Sequence, residues 1–155
     1  MSWIICRLPF SLAIAFGRGL ARTAWFFISA RRRKRTVENI RACLSVDAAT
    51  AKKIAKASVL NFGNILIEVL RFPVLKNTMK SHVKIVGLEH LQNYIKNSGG
   101  RGGVIMTSHS DNWELMGGAF AQYGIPLVGV AKKQKSAGAD KFINEFRTGI
   151  GMHIT

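Results

Sequence analysis

The chain has 155 residues, 48% of them hydrophobic and 20% charged, so it can build a packed core and is not a disordered polymer. Against 8 Asp and Glu stand 23 Lys and Arg, a net charge of +15. Residues 1–60 carry 12 of the basic and only two of the acidic side chains, in the same half as the most apolar stretch. That coincidence points to an anionic membrane surface before it points to nucleic acid. No aromatic interleaving, RNP-like run or helix-turn-helix pattern supports nucleic acid. Cys6 and Cys43 show neither CxxC spacing nor a zinc pattern and fit a reducing compartment.

From Trp3 to Ala30 the chain is mostly apolar, interrupted by Arg7, Arg18 and Arg22. Its uncharged run Leu8–Gly17 is shorter than the roughly 20 residues a bilayer span requires. On one continuous helix the three arginines, with Ser11, Ser29 and Trp25, fall in a sector of about 60°. Such a narrow polar stripe suits an interfacial anchor better than a span. The run Arg31-Arg32-Arg33-Lys34-Arg35 follows, and beside an apolar helix it belongs on the cytoplasmic side of a membrane. A cleavable signal peptide is disfavoured, because the charge follows the apolar region.

Thr36–Leu44 reads as a short helix, and Asp47 as the N-cap of a longer one from Ala48 to about Leu70, closed by Phe72-Pro73. Ile54, Asn61, Ile65 and Glu68 share one stripe, so this longer helix is not a clean amphipath. Further on, Val83–Val86 reads as a strand ended by Gly87, and Leu88–Asn97 as a helix. The turn at residues 98–103 is rich in glycine, but it precedes a strand and lacks the Gly-Lys-Ser/Thr ending of a phosphate loop.

Val104–Thr107 and Leu127–Ala131 read as buried strands, and Met152–Thr155 begins another. Asn112–Tyr123, with Gly124 as its C′ residue, and Asp140–Arg147 read as the intervening helices. The fold class expected is α/β: N-terminal membrane-associated helices, then a partly parallel sheet with crossover helices. Three segments follow from this reading: a membrane anchor and basic cluster at 1–35, a helical region at 36–78, and an α/β domain at 79–155.

In such sheets the working groups lie at the carboxyl ends of strands. There the sequence reads Thr107-Ser108-His109-Ser110-Asp111-Asn112-Trp113-Glu114. An imidazole can take a proton from an attacking hydroxyl near neutral pH if a carboxylate holds its other nitrogen. On one helix His109 and Glu114 would sit about 140° apart, so a loop placement for His109 is required. The amides at the helix N-terminus would face a developing oxyanion or a phosphate. The plainer reading makes Asp111 a cap and Trp113 a core residue. Neither a Gly-x-Ser-x-Gly elbow nor a His-Glu-x-x-His zinc motif is present.

His109-x-x-x-x-Glu114, with Asn112-Trp113-Glu114-Leu115 at its end, resembles the His-x4-Asp/Glu block of the lysophospholipid acyltransferase superfamily. The likeness is greatest to its lipid A late acyltransferases, which transfer lauroyl and myristoyl chains. It extends in order through the N-terminal anchor, the Arg-rich run with Asn39, and Val86-Gly87-Leu88-Glu89-His90-Leu91. Gly129-Val130 before Lys132-Lys133-Gln134-Lys135, and Arg147 before Gly151, continue it.

The resemblance implies a glycerolipid acyltransferase-like fold and an O-acyltransferase at the cytoplasmic face of the inner membrane. His109 would be the general base and Glu114 its orienting partner. Arg147, Asn112, Lys132 and Lys133 would be set toward the anionic substrates, a helix-end charge and a solvated lysine face being the alternatives. The implied donor is an acyl-carrier-protein or acyl-CoA thioester, with no metal or other cofactor, and the acceptor is a hydroxyl of a lipid A precursor or related glycolipid. Another lysolipid or a phosphoinositol mannoside as acceptor, and a non-catalytic membrane-binding remnant, remain open. Ser110-Asp111 stands where the family usually has an aromatic-glycine pair, and family members run about as long again. The chain therefore reads as an N-terminal half.

Overall fold

A computed structural model describes residues 2–155 as two compact units that divide after residue 70. Among the described residues it is mostly helical, with eight helices and two short strands.

The first unit holds α1 (Ser2–Arg7), α2 (Phe10–Phe27), α3 (Ala30–Leu44) and α4 (Ala48–Leu70). Pro9 breaks the apolar segment that the sequence suggests is one helix. The residue before a proline is pushed out of helical geometry, and the proline has no N–H to donate. Pro9 instead starts α2, its carbonyl accepting from Ala13 N at 3.0 Å. Arg7 thus lies on a different helix from Arg18 and Arg22, and the single arginine stripe does not form.

A second correction concerns the basic run. It lies inside a helix instead of before one, because Ser29 caps α3 by accepting from Arg32 N. No residue of α3 is buried. Ser45 in the left-handed region ends it, and Asp47 starts α4 by accepting from the amides of Ala49 and Thr50 at 2.8 and 3.0 Å. The Thr50 hydroxyl, and then the Thr50 amide, hold the Asp47 carboxyl below the usual carboxylate range.

Helices α2 and α4 pack through small residues. Ala13, Gly17 and Ala21 lie one turn apart and are buried, as are Gly63 and Ile67 of α4. A Cβ at Gly17 would stand 2.6 Å from the Gly63 carbonyl oxygen, so only glycine lets the backbones come this close. The Ser2 hydroxyl donates to the Leu70 carbonyl at 2.7 Å and ties α1 to the end of α4. Phe10, Leu12, Phe16, Leu20, Phe26 and Phe27 remain exposed on α2. Among the described residues no single helix is long and apolar enough to cross a membrane.

The second unit holds α5 (Phe72–His82), α6 (Leu88–Asn97), α7 (Trp113–Gln122), β1 (Val128–Gly129), α8 (Ala137–Gly149) and β2 (His153–Ile154). Pro73 opens α5, where the missing N–H costs nothing, so Phe72-Pro73 begins a helix that the sequence reading did not separate out. Strands β1 and β2 are parallel, with Val128 opposite His153 and Gly129 opposite Ile154, and α8 is the crossover between them. Phe72, Leu75 and Met79 of α5, Ala119 of α7, and Ile125, Ile150 and Met152 form the core of the unit. Gly117 and Gly118 leave room for the Met152 and Ile150 side chains.

The sheet is smaller than the sequence suggests. Val83–Val86 forms no strand, and the Val83 carbonyl accepts from the Tyr123 hydroxyl at 2.8 Å instead of from a ladder neighbour. Val104–Thr107 has no regular structure, and Val104 and Met106 are 99% and 96% exposed. Among the described residues β1 and β2 pair only with each other, so that apolar run has no ladder to join. Leu127–Ala131 contributes a two-residue strand whose Val128 faces out, not a buried one.

Candidate active site

The site is built on the start of α7 and the end of α8. Asn112 is the N-cap, its Oδ1 accepting from Leu115 N at 2.9 Å. Asp111 before it has φ of 53°, a left-handed conformation that Asp tolerates better than most non-glycine residues. This is the position where the resemblance leads one to expect glycine.

Glu114 lies in the first turn of α7 and Arg147 in the last turn of α8, each with the sign of charge that complements its helix dipole. Together they make a two-point ion pair. Arg147 Nε donates to Glu114 Oε2 at 2.8 Å and Nη2 donates to Oε1. Only 13% of the Arg147 side chain and 9% of the Glu114 side chain are exposed. Arg147 Nη1 also donates to Asn144 Oδ1 at 3.3 Å. Hydrogen bonding to the Glu114 carboxylate pushes the Arg147 pKa up, against the opposing effect of burial.

His109 lies in the exposed segment before α7, its ring 4.9 Å from the Trp113 ring and tilted by 49°. The structure therefore brings Glu114 to Arg147 and sets His109 on Trp113, five residues before the carboxylate in sequence and not hydrogen-bonded to it. Trp113 is half-buried, and the hydroxyls of Ser108 and Ser110 bond to each other at 2.6 Å across His109. Lys132 and Lys133 are exposed and line a cleft of about 420 Å³ together with Asp140, Asn144 and Thr148 of α8. The backbone of that loop is tied to α8 by Gln134 N donating to Asp140 Oδ1 at 2.7 Å. The cleft thus shares its α8 wall with the helix that carries Arg147.

The pairing of Glu114 with Arg147 is what sequence reasoning missed, having assigned one to His109 and the other to a substrate phosphate. Opposite charges at complementary helix ends were the only signal, and that pattern is too common to single out two residues 33 positions apart.

The whole chain, residues 1–155, matches the family model described as bacterial lipid A biosynthesis acyltransferase, and the protein belongs to that family. It is also similar to a phosphatidylinositol mannoside acyltransferase of Mycolicibacterium smegmatis, with 24% identity over 102 residues. That match covers 65% of this chain and 33% of the relative, so the chain spans about a third of the relative's length. No solved structure matches.

Proposed function

We propose that the chain carries the proton-transfer half of an O-acyltransferase that moves a fatty acyl group from a thioester donor to a hydroxyl of an anionic glycolipid. The observation that carries this reading is family membership along the whole chain, with His109 exposed in the segment before α7 and Glu114 buried and charge-fixed in its first turn.

His109 takes the acceptor hydroxyl proton as the oxygen attacks the thioester carbonyl. The tetrahedral adduct then collapses, the C–S bond breaks, and the departing thiolate receives the proton from the imidazolium. No acyl-enzyme forms. A carboxylate has about four lone-pair positions, so Glu114 can hold Arg147 at both oxygens and still accept from a His109 N–H when the exposed segment turns toward it. Arg147 then acts on catalysis by fixing Glu114. Lys132 and Lys133, on the cleft rim, attract the acidic carrier or the acceptor phosphate, and Asn112 holds the start of α7. The crossover β1–α8–β2 is the part of an α/β acyltransferase fold that supports this arrangement. The exposed apolar residues of α2 support attachment to a membrane surface, which in this reading is the cytoplasmic face of the inner membrane.

The acceptor is a lipid A precursor, as the family suggests. The similarity to a phosphatidylinositol mannoside acyltransferase favours a phosphoinositol mannoside as the second reading. Membranes carrying the full chain, given acyl-carrier-protein thioester and each acceptor in turn, test both by the mass gain of one acyl group. Transfer to neither would leave a non-catalytic, membrane-binding role.

A further inference from the structure

One concavity of the first unit is not part of that chemistry. It is a cleft of about 540 Å³ between the end of α2, one face of α3 and the start of α4. Trp25 and Val37, both half-buried, are its apolar lining. Five cations line it (Arg33, Lys34, Arg41, Lys52 and Lys56) against one carboxylate, Glu38. Lys34 lies 3.9 Å from Glu38, which leaves four cations in excess. The Arg33 guanidinium lies 5.8 Å from the centre of the Trp25 ring, which holds it over the apolar wall.

Charge of this density on two adjoining helices, α3 and α4, is unfavourable unless an anion joins it. Next to Trp25 in the chain, Phe26 and Phe27 are 74% and 88% exposed, an apolar step beside the basic cleft. A ligand that suits both carries phosphate at one end and hydrocarbon at the other. We infer that this cleft is a binding site for the headgroup of an anionic phospholipid, with the phosphate among Arg33, Arg41, Lys52 and Lys56 and the acyl chains leaving past Phe26 and Phe27. The inference rests on the membrane placement proposed above and adds to it a discrete, saturable site. Nucleic acid would satisfy the cations but would leave Phe26 and Phe27 in water.

The control is built into the same helix. Arg31, Arg32 and Arg35 belong to the same basic run and are exposed, but they do not line the cleft. Two triple variants of the full chain, Arg41→Gln/Lys52→Gln/Lys56→Gln and Arg31→Gln/Arg32→Gln/Arg35→Gln, lose the same charge. All six side chains are exposed, and circular dichroism verifies that both variants fold. Partitioning is measured on vesicles of phosphatidylcholine with 30% phosphatidylglycerol, with pure phosphatidylcholine and a short DNA duplex beside them.

The expected result is that the cleft triple partitions to the anionic vesicles at least tenfold more weakly than the control triple, and that soluble dihexanoyl phosphatidylglycerol competes with the wild type. Equal losses in the two triples would mean diffuse surface attraction and would overturn the site while leaving membrane binding in place. A wild type that binds neither vesicle would overturn the membrane placement itself. DNA binding tighter than vesicle binding, lost in the cleft triple, would assign the cleft to nucleic acid and overturn the inference.

Discussion

Replacing Glu114 with Gln is expected to strand a cation in the second unit. The two side chains expose 9% and 13% of their surface, and Arg147 addresses both carboxylate oxygens. Removing one partner of a fully buried pair costs about 3–5 kcal/mol, mostly because the other charge stays behind unpaired. Arg147 keeps its bond to Asn144 and some solvent contact, which lowers the expected cost of Glu114→Gln to about 2–3 kcal/mol. Arg147→Met strands the carboxylate instead and should cost a similar amount. The double variant leaves no stranded charge, so its cost should fall short of the sum by about 2 kcal/mol.

Urea unfolding of all four proteins, followed by circular dichroism, gives this coupling energy directly. Because the Arg147 pKa is raised on folding, its contribution is complete below the guanidinium's unfolded value and is lost only as pH rises through the folded one. The guanidinium thus adds no pH dependence below about pH 12. A coupling under about 0.5 kcal/mol would show that water screens the pair, and would refute the claim that it fixes α7 to α8.

Two further expectations concern the backbone. Gly63→Ala puts a methyl 2.9 Å from the Gly17 carbonyl carbon and 2.8 Å from Ala21 Cβ. Overpacking of this kind costs about 1–3 kcal/mol, enough to outweigh the helix propensity of about 1 kcal/mol that alanine brings. Gly19→Ala on the same α2 helix meets nothing within 4 Å and should stabilise by up to about 1 kcal/mol. A common sign for the two substitutions in thermal unfolding would rule out the close α2–α4 approach. At Asp111, φ 53°, both Asp111→Gly and Asp111→Ala remove the carboxylate, so their difference isolates the backbone. The glycine variant should be more stable by about 1 kcal/mol, and equality would mean that the left-handed turn before α7 is absent.

The parts of the fold that were legible in the sequence are those fixed by local chemistry. Asp47 before Ala48 and Gly124 after Tyr123 set the start of α4 and the end of α7 through bonds spanning only a few residues, whereas the cap of α7 is Asn112, one residue beyond the expected Asp111. The strands were less legible, because an apolar run such as Val104–Thr107 says only that it suits a strand. Whether it becomes one depends on a partner elsewhere, and the two-residue ladder of Val128–Gly129 with His153–Ile154 does not reach it. The N-terminal helix was misjudged for a local reason that the sequence did contain: Pro9 sits inside the apolar segment, and its effect on the arginine stripe is a matter of steric exclusion. For the candidate site, His109 and Glu114 were singled out in the sequence by their motif. The partner of Glu114 was not, since Arg147 arrives across a crossover helix.

In the proposed reaction His109 moves the proton during acyl transfer. Membranes carrying the full chain and its His109→Ala variant, each given acyl-carrier-protein thioester and an under-acylated lipid A precursor, test it by mass spectrometry of the extracted lipid. The expected result is a product heavier by one acyl chain with the wild type, and at least a hundredfold less of it with the variant at equal membrane content, as loss of a general base commonly removes about 10²–10⁴ in rate. Equal product from both would contradict the role of His109, and no product from the wild type would contradict the proposed activity of this chain.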